Sequence, residues 1–167
     1  MNAILSAAQD WAIGKDNHLL FHLKEDMRRF RILTTGGTVI MGRRTLESLP
    51  GEKPLSDRRN IVVTHDKQFT REGVEVAHCV DAALSMVNAS GDDVWVIGGG
   101  SIYASLLSRC KKVFLTRVDA VVEGADTFFP NLDKLSCWKI VSQSDPIMEN
   151  GVGYRFLEYL NQNPILF

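Results

Sequence analysis

Short, uninterrupted apolar runs alternate with helical patterns along this chain, and this alternation restricts the fold more than any other feature of the sequence. The runs at residues 38–41 (TVIM) and 94–97 (VWVI) are apolar rather than alternating between apolar and polar residues. Strands covered by helices on both faces have such runs, whereas strands with one face in water alternate. The pattern therefore predicts an α/β protein with a largely parallel sheet.

The alternation divides into about eight strands and about four helices. The predicted strands are residues 2–8, 38–41, 60–64, 74–77, 94–97, 112–118, 138–143 and 153–160. The predicted helices are residues 24–35, 43–48, 81–89 and 101–108, with Asp81 as the expected N-cap of the third. The last two strands are joined by the turn-like segment 144–151 without a helix, so we expect an antiparallel hairpin at the sheet edge. The expected architecture is one α/β domain over residues 1–167, with a mostly parallel central sheet and this C-terminal hairpin.

The charge balance and the cysteine and histidine patterns exclude several classes of protein. Nineteen basic and twenty acidic residues give a formal net charge of −1, which argues against bulk electrostatic binding of nucleic acid. No apolar run approaches the ~18 residues of a membrane span, and the first residues lack a signal-peptide pattern. The three cysteines are far apart and the four histidines lack metal-site spacing, so we predict a cytoplasmic protein with reduced thiols and no metal.

The first helix carries a carboxylate on an unexpected face. At about 100° per residue, Leu23, Phe30 and Leu33 define an apolar stripe, and the basic residues, Arg29 among them, fall on the opposite side. Asp26 lies within the stripe, three residues after Leu23 and four before Phe30. Two interpretations remain open. A buried acid would suit a cationic, amidine-like heterocycle or a proton transfer, whereas an acid in water is common near a helix start.

Two strand-to-helix junctions carry glycines. Residues 94–100 (VWVIGGG) run directly into a helical segment, although Tyr103 stands where a dinucleotide fingerprint would have its last glycine. Gly42 follows the other apolar run and precedes Arg43 and Arg44, and arginine binds phosphate bidentately. Ligands of open α/β sheets bind at this carboxyl edge. A tight turn would explain either junction alone, but the two together favour a dinucleotide, or a phosphate plus a carboxylate.

In this order, these residues resemble the dihydrofolate reductases of the bacterial chromosomal type, over roughly residues 3–160. The motifs that carry the resemblance are Ile13-Gly14-Lys15-Asp16-Asn17, the helix with Leu23, Asp26 and Phe30, Val39-Ile40-Met41-Gly42-Arg43 with Thr45, Arg58-Arg59-Asn60-Ile61, Val96-Ile97-Gly98-Gly99-Gly100, Leu115-Thr116 and Asp126-Thr127-Phe128-Phe129-Pro130. The resemblance implies hydride transfer from NADPH to C6 of 7,8-dihydrofolate, with a proton delivered to N5.

Around the substrate, the resemblance implies a role for each of several residues. Asp26 would be the single essential acid, holding the amino-amide edge of the pterin and favouring protonation of N5, and Thr116 would hydrogen-bond this acid. Arg58 would hold the carboxylate of the glutamate tail. The other residues implied around the substrate are Ile4, Leu5, Met27, Phe30, Leu49, Leu55, Ile97 and Tyr103.

Around NADPH, the resemblance implies that Arg43, aided by Arg44 and His65, meets the 2′-phosphate that distinguishes this cofactor from NADH. Residues 99–103, with Thr45, would hold the pyrophosphate, and residues 14–19 would form a mobile loop over the nicotinamide. The other residues implied at the cofactor are Ser6, Ile13, Gly14, Asn17, Leu19, Gly42, Thr64, Gly99, Gly100, Ser101, Ile102, Tyr103 and Thr127.

Some residues depart from the family pattern. Leu20 and Phe21 stand where the family usually has proline and tryptophan, Lys24 replaces a frequent proline, and Ser101 replaces a frequent arginine. Because the acid, the tail arginine and the glycines are all present, we expect activity to survive, with altered loop kinetics and inhibitor affinity.

Two other functions remain open on the sequence. A reductase of the same fold that acts on a ribosylated pyrimidine in riboflavin synthesis would also use NADPH, but it would not need Asp26 together with Arg58. A non-catalytic nucleotide-binding module would use the glycine turns alone. The expected partners are the small-molecule substrate and antifolate inhibitors, without nucleic acid or membrane, and we expect a monomer.

Overall fold

A nine-stranded sheet lies at the centre of the computed structural model, which describes residues 1–87 and 93–165. The strands of this sheet and of a second, three-stranded sheet are β1 (Asn2–Ala7), β2 (Ala12–Lys15), β3 (His18–Leu19), β4 (Thr38–Gly42), β5 (Arg59–Val63), β6 (Val74–Ala77), β7 (Val94–Gly98), β8 (Lys112–Val118), β9 (Thr127–Phe128), β10 (Trp138–Gln143), β11 (Ile147–Glu149) and β12 (Val152–Asn161). The α-helices in these ranges are α1 (Lys24–Thr34), α2 (Arg43–Ser48), α3 (Val80–Met86) and α4 (Gly100–Leu106). Short 3₁₀ turns lie at Pro50–Glu52, Leu107–Arg109 and Leu132–Lys134.

The strand order of the large sheet is β10-β12-β8-β1-β7-β4-β5-β6, with β11 paired to β12. From β8 through β1, β7, β4 and β5 to β6, every two neighbouring strands are parallel. β12, in contrast, is antiparallel to β8, β10 and β11. The carboxyl ends of the parallel strands therefore meet at one edge, where ligands bind in open α/β sheets. This arrangement confirms the predicted fold class.

The apolar runs are buried on both faces of the sheet. Val39, Ile40 and Met41 of β4 are all 0% exposed. Side chains alternate between the two faces along the strand. Val39 and Met41 therefore lie in one apolar cluster, covered by α1 and α2. Ile40 lies in a second cluster on the other face, covered by α3 and α4. The longest helix, α1, has 11 residues, and no helix in the described ranges has the length and apolarity needed to cross a membrane.

Some of the predicted boundaries were wrong. The third helix begins at Val80 rather than Asp81, because Cys79 is its N-cap and the Cys79 Sγ accepts the Ala82 N–H at 3.4 Å. The predicted end of this helix, at residues 88–89, lies outside the described residues. The predicted antiparallel hairpin at the sheet edge is confirmed, because β12 pairs with the edge strand β10. The segment that joins them contains the short strand β11, which was expected to be a turn. β2, β3 and β9 were not predicted, since strands of two to four residues show no readable period.

Candidate active site

The carboxylate of Asp26 is held between α1 and β8. Asp26 lies in the first turn of α1, and its Oδ1 accepts a hydrogen bond from the Thr116 hydroxyl at 2.5 Å. Thr116 is only 2% exposed. Leu23, rather than Asp26, is the N-cap residue of the helix, and it is buried as well. Asp26 itself is half-buried, with its carboxylate held against the buried Thr116. Of the two interpretations of Asp26, the structure therefore supports an acid turned toward the apolar surface over an acid in water.

Burial has the largest influence on the Asp26 carboxyl, and it raises the pKa of this group. The hydrogen bond from Thr116 and the positive charge of Arg29 lower the pKa by less, and the negative charge of Glu149 adds to the increase. A desolvated acid with a raised pKa is suited to gripping a nitrogen heterocycle and to favouring its protonation.

The first turn of α1 is capped from the C-terminal hairpin, a contact that sequence reasoning missed. Both carboxylate oxygens of Glu149 accept a hydrogen bond from the Lys24 backbone N–H, at 3.0 and 2.9 Å, and the Tyr154 hydroxyl donates to Glu149 at 3.3 Å. The contact anchors the turn that carries Asp26. The one signal in the sequence is Lys24 itself, because the proline that is frequent there in the family has no N–H to donate.

Arg29 is not on the solvent-facing side of α1, where the helical pattern placed it. Its guanidinium lies 4.5 Å from the centre of the Phe156 ring and 5.5 Å from that of Phe114. The charged head of Arg29 thus lies over the two rings, and its charge lowers the pKa of Asp26. Arg29 therefore contributes to the electrostatics of the site.

Most of the apolar side chains predicted around the substrate lie in the cluster that α1 covers. Its predicted members are the buried Ile4 and the half-buried Phe30, Leu49, Leu55 and Ile97. Leu5 is not among them, because alternation along β1 turns its side chain into the cluster on the opposite face. Met27 is 59% exposed on α1, in keeping with its place at the margin of the stripe.

Arg58 lies at the opposite end of α1 from Asp26. Its Nη1 donates to the Thr34 hydroxyl at 3.0 Å and its Nε donates to the Ser56 carbonyl at 2.9 Å. The guanidinium is 5.9 Å from the centre of the Phe30 ring. Thr34 follows Asp26 by eight residues, or ~12 Å of helix at 1.5 Å per residue. The acidic side chain of Asp26 and the cationic side chain of Arg58 thus lie at the two ends of one apolar surface.

The buried side chain of Asn60 fixes the loop that carries Arg58. Its Oδ1 accepts the Leu55 N–H at 2.9 Å, and its Nδ2 donates to the carbonyls of Leu55 and Arg58, each at 2.9 Å. Asn60 is 2% exposed, so these bonds are shielded from water. These three hydrogen bonds therefore fix the position of Arg58.

The two glycine-bearing junctions meet at the carboxyl edge of the sheet. β4 and β7 are neighbours, and Met41 is paired with Gly98. A Cβ atom at Gly98 would lie 3.3 Å from the Thr45 Oγ1, and one at Gly42 would lie 3.3 Å from the Ile102 Cγ1. Gly98 has a φ of +125°, which residues with side chains rarely adopt. The junctions therefore form one closely packed backbone surface around Thr45.

Tyr103 supports this surface from within the core. It is 5% exposed, and its hydroxyl donates to the Ile4 carbonyl at 2.7 Å. Burial raises the pKa of Tyr103, so the hydroxyl keeps its proton. Because this proton is donated to the Ile4 carbonyl of β1, Tyr103 holds α4 against β1.

Comparisons with known proteins agree with this geometry. A family model described as dihydrofolate reductase matches residues 1–161. The chain belongs to the dihydrofolate reductase family. It is 42% identical over 144 residues to dihydrofolate reductase type 3 of Salmonella typhimurium, with 86% of each chain covered. It is 37% identical over 158 residues to dihydrofolate reductase of Neisseria meningitidis serogroup A, with 94% of this chain and 95% of the relative covered.

A solved structure of dihydrofolate reductase from Enterococcus faecalis, complexed with NADP(H) and RAB-propyl, has a TM-score of 0.84 to this chain. The two are 31% identical, and the match covers 96% of this chain and 95% of the other. The fold that carries the acid, the arginine and the glycine junctions is therefore that of a dihydrofolate reductase over nearly its whole length.

In this dihydrofolate reductase fold, Asp126 holds the loop formed by β2 and β3. Its Oδ2 accepts the Asp16 backbone N–H at 2.9 Å, its Oδ1 accepts the Thr127 hydroxyl at 2.8 Å, and its own N–H donates to the Gly14 carbonyl at 3.0 Å. A Cβ atom at Gly100 would lie 2.8 Å from the Thr127 Cγ2. Gly14, Gly100 and Thr127, all predicted at the cofactor, are thus brought together.

Replacing Asp126 by alanine is expected to lower kcat about tenfold, because the loop loses two charge-assisted hydrogen bonds. The Asp16 N–H and the Thr127 hydroxyl lower the pKa of Asp126, so the contacts persist at neutral pH. Hydrogen exchange should speed up at the amide of Asp16. Asp145→Ala, which removes an exposed carboxylate from another turn, should change neither quantity. Unchanged exchange in Asp126→Ala would contradict the anchoring role.

The remaining residues predicted at the cofactor lie at or near the same edge. Ser6 is half-buried near the end of β1, Thr64 and His65 directly follow β5, and Ile13 is 8% exposed in β2. Arg43 begins α2. The exposed members of the set are Asn17, Leu19, Arg44, His65 and Ser101.

Proposed function

We propose that this chain reduces 7,8-dihydrofolate to 5,6,7,8-tetrahydrofolate with NADPH, by hydride transfer to C6 and protonation of N5, and so supplies one-carbon metabolism. The observation that carries the proposal is the half-buried Asp26 carboxylate, 2.5 Å from the Thr116 hydroxyl, on the helix whose other end holds Arg58. Membership of the dihydrofolate reductase family supports the same reaction.

The side chains of this site suit an elongated substrate with different chemistry at its two ends. The Asp26 carboxylate accepts hydrogen bonds from the amino-amide edge of the pterin, and the Thr116 hydroxyl orients the carboxylate. The cluster around Ile4, Phe30 and Ile97 packs against the flat rings. Arg58, whose guanidinium is already oriented by Thr34 and Ser56, pairs with the carboxylate of the glutamate tail.

The residues at the glycine junctions fit a dinucleotide. At Gly99, a Cβ atom would have only the Thr45 Oγ1 nearby, at 3.5 Å, so the backbone is open to close approach. Arg43 lies beside this surface at the start of α2 and suits a phosphate. When bound, NADPH supplies the hydride. The chain positions the two reactants and, through the loop anchored by Asp126, excludes water from them.

Asp26 acts on the proton rather than on the hydride. Its negative charge stabilises a pterin protonated at N5 within surroundings of low dielectric constant. Because the carboxylate is hydrogen-bonded to the amino-amide edge and not to N5, the proton reaches N5 through water. Holding this carboxylate in place is the role of the Thr116 hydrogen bond.

The direct test mixes the purified protein with NADPH and dihydrofolate and follows the absorbance of the reduced nicotinamide. We expect turnover with dihydrofolate and none with the ribosylated pyrimidine of riboflavin synthesis. Turnover with the pyrimidine alone would support the alternative reductase. If the protein binds NADPH but does not oxidise it in the presence of either substrate, the result would indicate a nucleotide-binding module.

We also propose that residues 1–167 act as one domain and that the protein is a cytoplasmic monomer. In this proposal it binds its small-molecule substrate and antifolate inhibitors, and neither nucleic acid nor membrane. The formal net charge of −1 supports the part that concerns nucleic acid. Sedimentation at micromolar concentration should give a mass of one chain, with or without NADPH, and a dimer would contradict the proposed monomer.

A further inference from the structure

The guanidinium of Arg43 is held by two carboxylates at the carboxyl end of β4. Its Nε donates to the Glu47 Oε1 at 2.6 Å, and its Nη1 donates to the Asp66 Oδ2 at 2.8 Å. The ring of the buried Phe69 lies against it, 4.7 Å from ring centre to guanidinium carbon. Two of its three nitrogens are thus engaged by anionic oxygens.

Asp66 stands beside Arg43 because their strands are neighbours. β4 and β5 are parallel, with Gly42 paired to Val63, so the residues that follow the two strands emerge at the same edge. The Asp66 Oδ1 accepts the Gln68 backbone N–H at 2.9 Å, which leaves Oδ2 for Arg43. These two hydrogen bonds lower the pKa of Asp66, so the group is charged at neutral pH.

The two side chains have opposite preferences for a dinucleotide. At the edge of such a sheet, an acidic residue hydrogen-bonds the ribose 2′-hydroxyl of NADH, whereas an arginine accommodates the 2′-phosphate of NADPH. This chain has both, and they are bonded to each other. A 2′-phosphate that approaches Arg43 must share the guanidinium with Asp66, whose charge has the same sign. A 2′-hydroxyl can instead donate to Asp66.

We propose that Asp66 is a specificity-determining residue that weakens the binding of a 2′-phosphate at Arg43 and so admits NADH alongside NADPH. The inference rests on the proposed function, because it requires the adenosine end of the cofactor to lie at this edge. In this inference Asp66 lowers the affinity for a 2′-phosphate, whereas Arg43 beside it raises that affinity.

The test compares Asp66→Asn with a matched control, Glu75→Gln. Asparagine keeps an oxygen for the Gln68 N–H, and its NH2 group replaces the Oδ2 that accepted from Arg43, so the charge and the hydrogen bond to Arg43 are both removed. Glu75 forms a similar pair with Arg59, at 2.6 and 2.8 Å, and the two carboxylate side chains are both 45% exposed. Arg59, however, is the first residue of β5 and lies at the other end of the strand. The control therefore breaks an equivalent ion pair away from the carboxyl edge.

The probes are adenosine 2′,5′-bisphosphate and adenosine 5′-monophosphate, which differ by the 2′-phosphate, with binding measured by calorimetry. Asp66→Asn should bind the bisphosphate about tenfold more tightly, since a like charge beside the phosphate is removed. Its affinity for the monophosphate should fall or stay within about twofold, because the 2′-hydroxyl loses the carboxylate of Asp66 as an acceptor. Fluorescence titration should show the same gain for NADPH over NADH. Glu75→Gln should leave all four affinities unchanged.

Three results would overturn the inference. Equal tightening of both adenosine probes would indicate a general charge effect, and weaker binding of the bisphosphate would show that Asp66 prepares Arg43 for the phosphate. If the wild type binds NADPH but Asp66→Asn has the same preference for NADPH over NADH as the wild type, this inference is contradicted and the proposed function stands. A wild-type protein that binds no NADPH would contradict the proposed function, and this inference with it.

Discussion

Replacing Asp26 by asparagine is expected to reduce the rate of dihydrofolate reduction at pH 7 by about 10²- to 10⁴-fold. Asparagine has the same size and can still accept the hydrogen bond from the Thr116 hydroxyl, so the surroundings need not rearrange. It cannot carry the negative charge that stabilises a protonated pterin. The loss should therefore appear in the turnover of dihydrofolate, while the affinity for NADPH, measured by fluorescence, stays unchanged.

The pH dependence separates a role in protonation from a role in folding. Lowering the pH should restore part of the rate of Asp26→Asn, because solvent can then protonate the pterin directly. The wild-type profile should contain an ionisation above 3.8, the usual pKa of an aspartate, and the variant should lack it. Asp81→Asn, which changes an exposed carboxylate on α3, is the control and should behave as wild type. Full activity of Asp26→Asn at pH 7 would contradict the assignment of the acid.

The same substitution should stabilise the folded protein at neutral pH. Burial raises the pKa of Asp26 above its unfolded value of 3.8, so its favourable contribution is complete below that value and is lost as the pH rises through the folded-state pKa. The difference in Tm between Asp26→Asn and wild type should therefore grow with pH. A gain in Tm together with a loss of turnover would mark Asp26 as a residue kept for function.

The sequence predicted the layout of the sheet because the apolar runs have one physical explanation. Val39, Ile40 and Met41 can all be buried only if helices cover both faces of β4, and this requirement leads directly to an α/β sheet. The short strands β2, β3 and β9 could not be predicted in this way, because their two to four residues are held by the loop that Asp126 anchors rather than by their own periodicity.

The site was predictable where one residue contradicted its local pattern. Asp26 stands out on an apolar stripe, and three consecutive glycines exceed what a turn needs. Glu149 and Asp66 were not predictable, because an acid in a polar segment between two strands looks ordinary in the sequence. Their importance comes from partners 125 and 23 residues away. The side chain of Leu5 lies in the cluster on the opposite face from Ile4, because a family pattern names a segment, whereas the side-chain alternation of β1 decides which side chain points to which face.

Replacing Arg58 by leucine is expected to raise the KM for dihydrofolate about 10- to 100-fold, because a charge-assisted pair with the glutamate tail is lost. Leucine keeps an apolar contact with Phe30, and kcat should change little, since the tail is remote from the reacting atoms. A dihydropterin without the glutamate tail provides the decisive comparison. Wild type and Arg58→Leu should reduce it with the same kcat/KM, because neither can form the pair.

The next residue along the chain is the natural control. Arg59 is held by Glu75 through two hydrogen bonds of 2.6 and 2.8 Å and begins β5, so Arg59→Leu removes an equal charge without touching the substrate. Its KM for dihydrofolate should stay close to that of wild type. An equal rise in KM for both variants would indicate a general loss of positive potential. A rise for Arg58→Leu that persists with the tail-free dihydropterin would show that Arg58 acts through the packing of Phe30 and Thr34 instead of through the tail carboxylate.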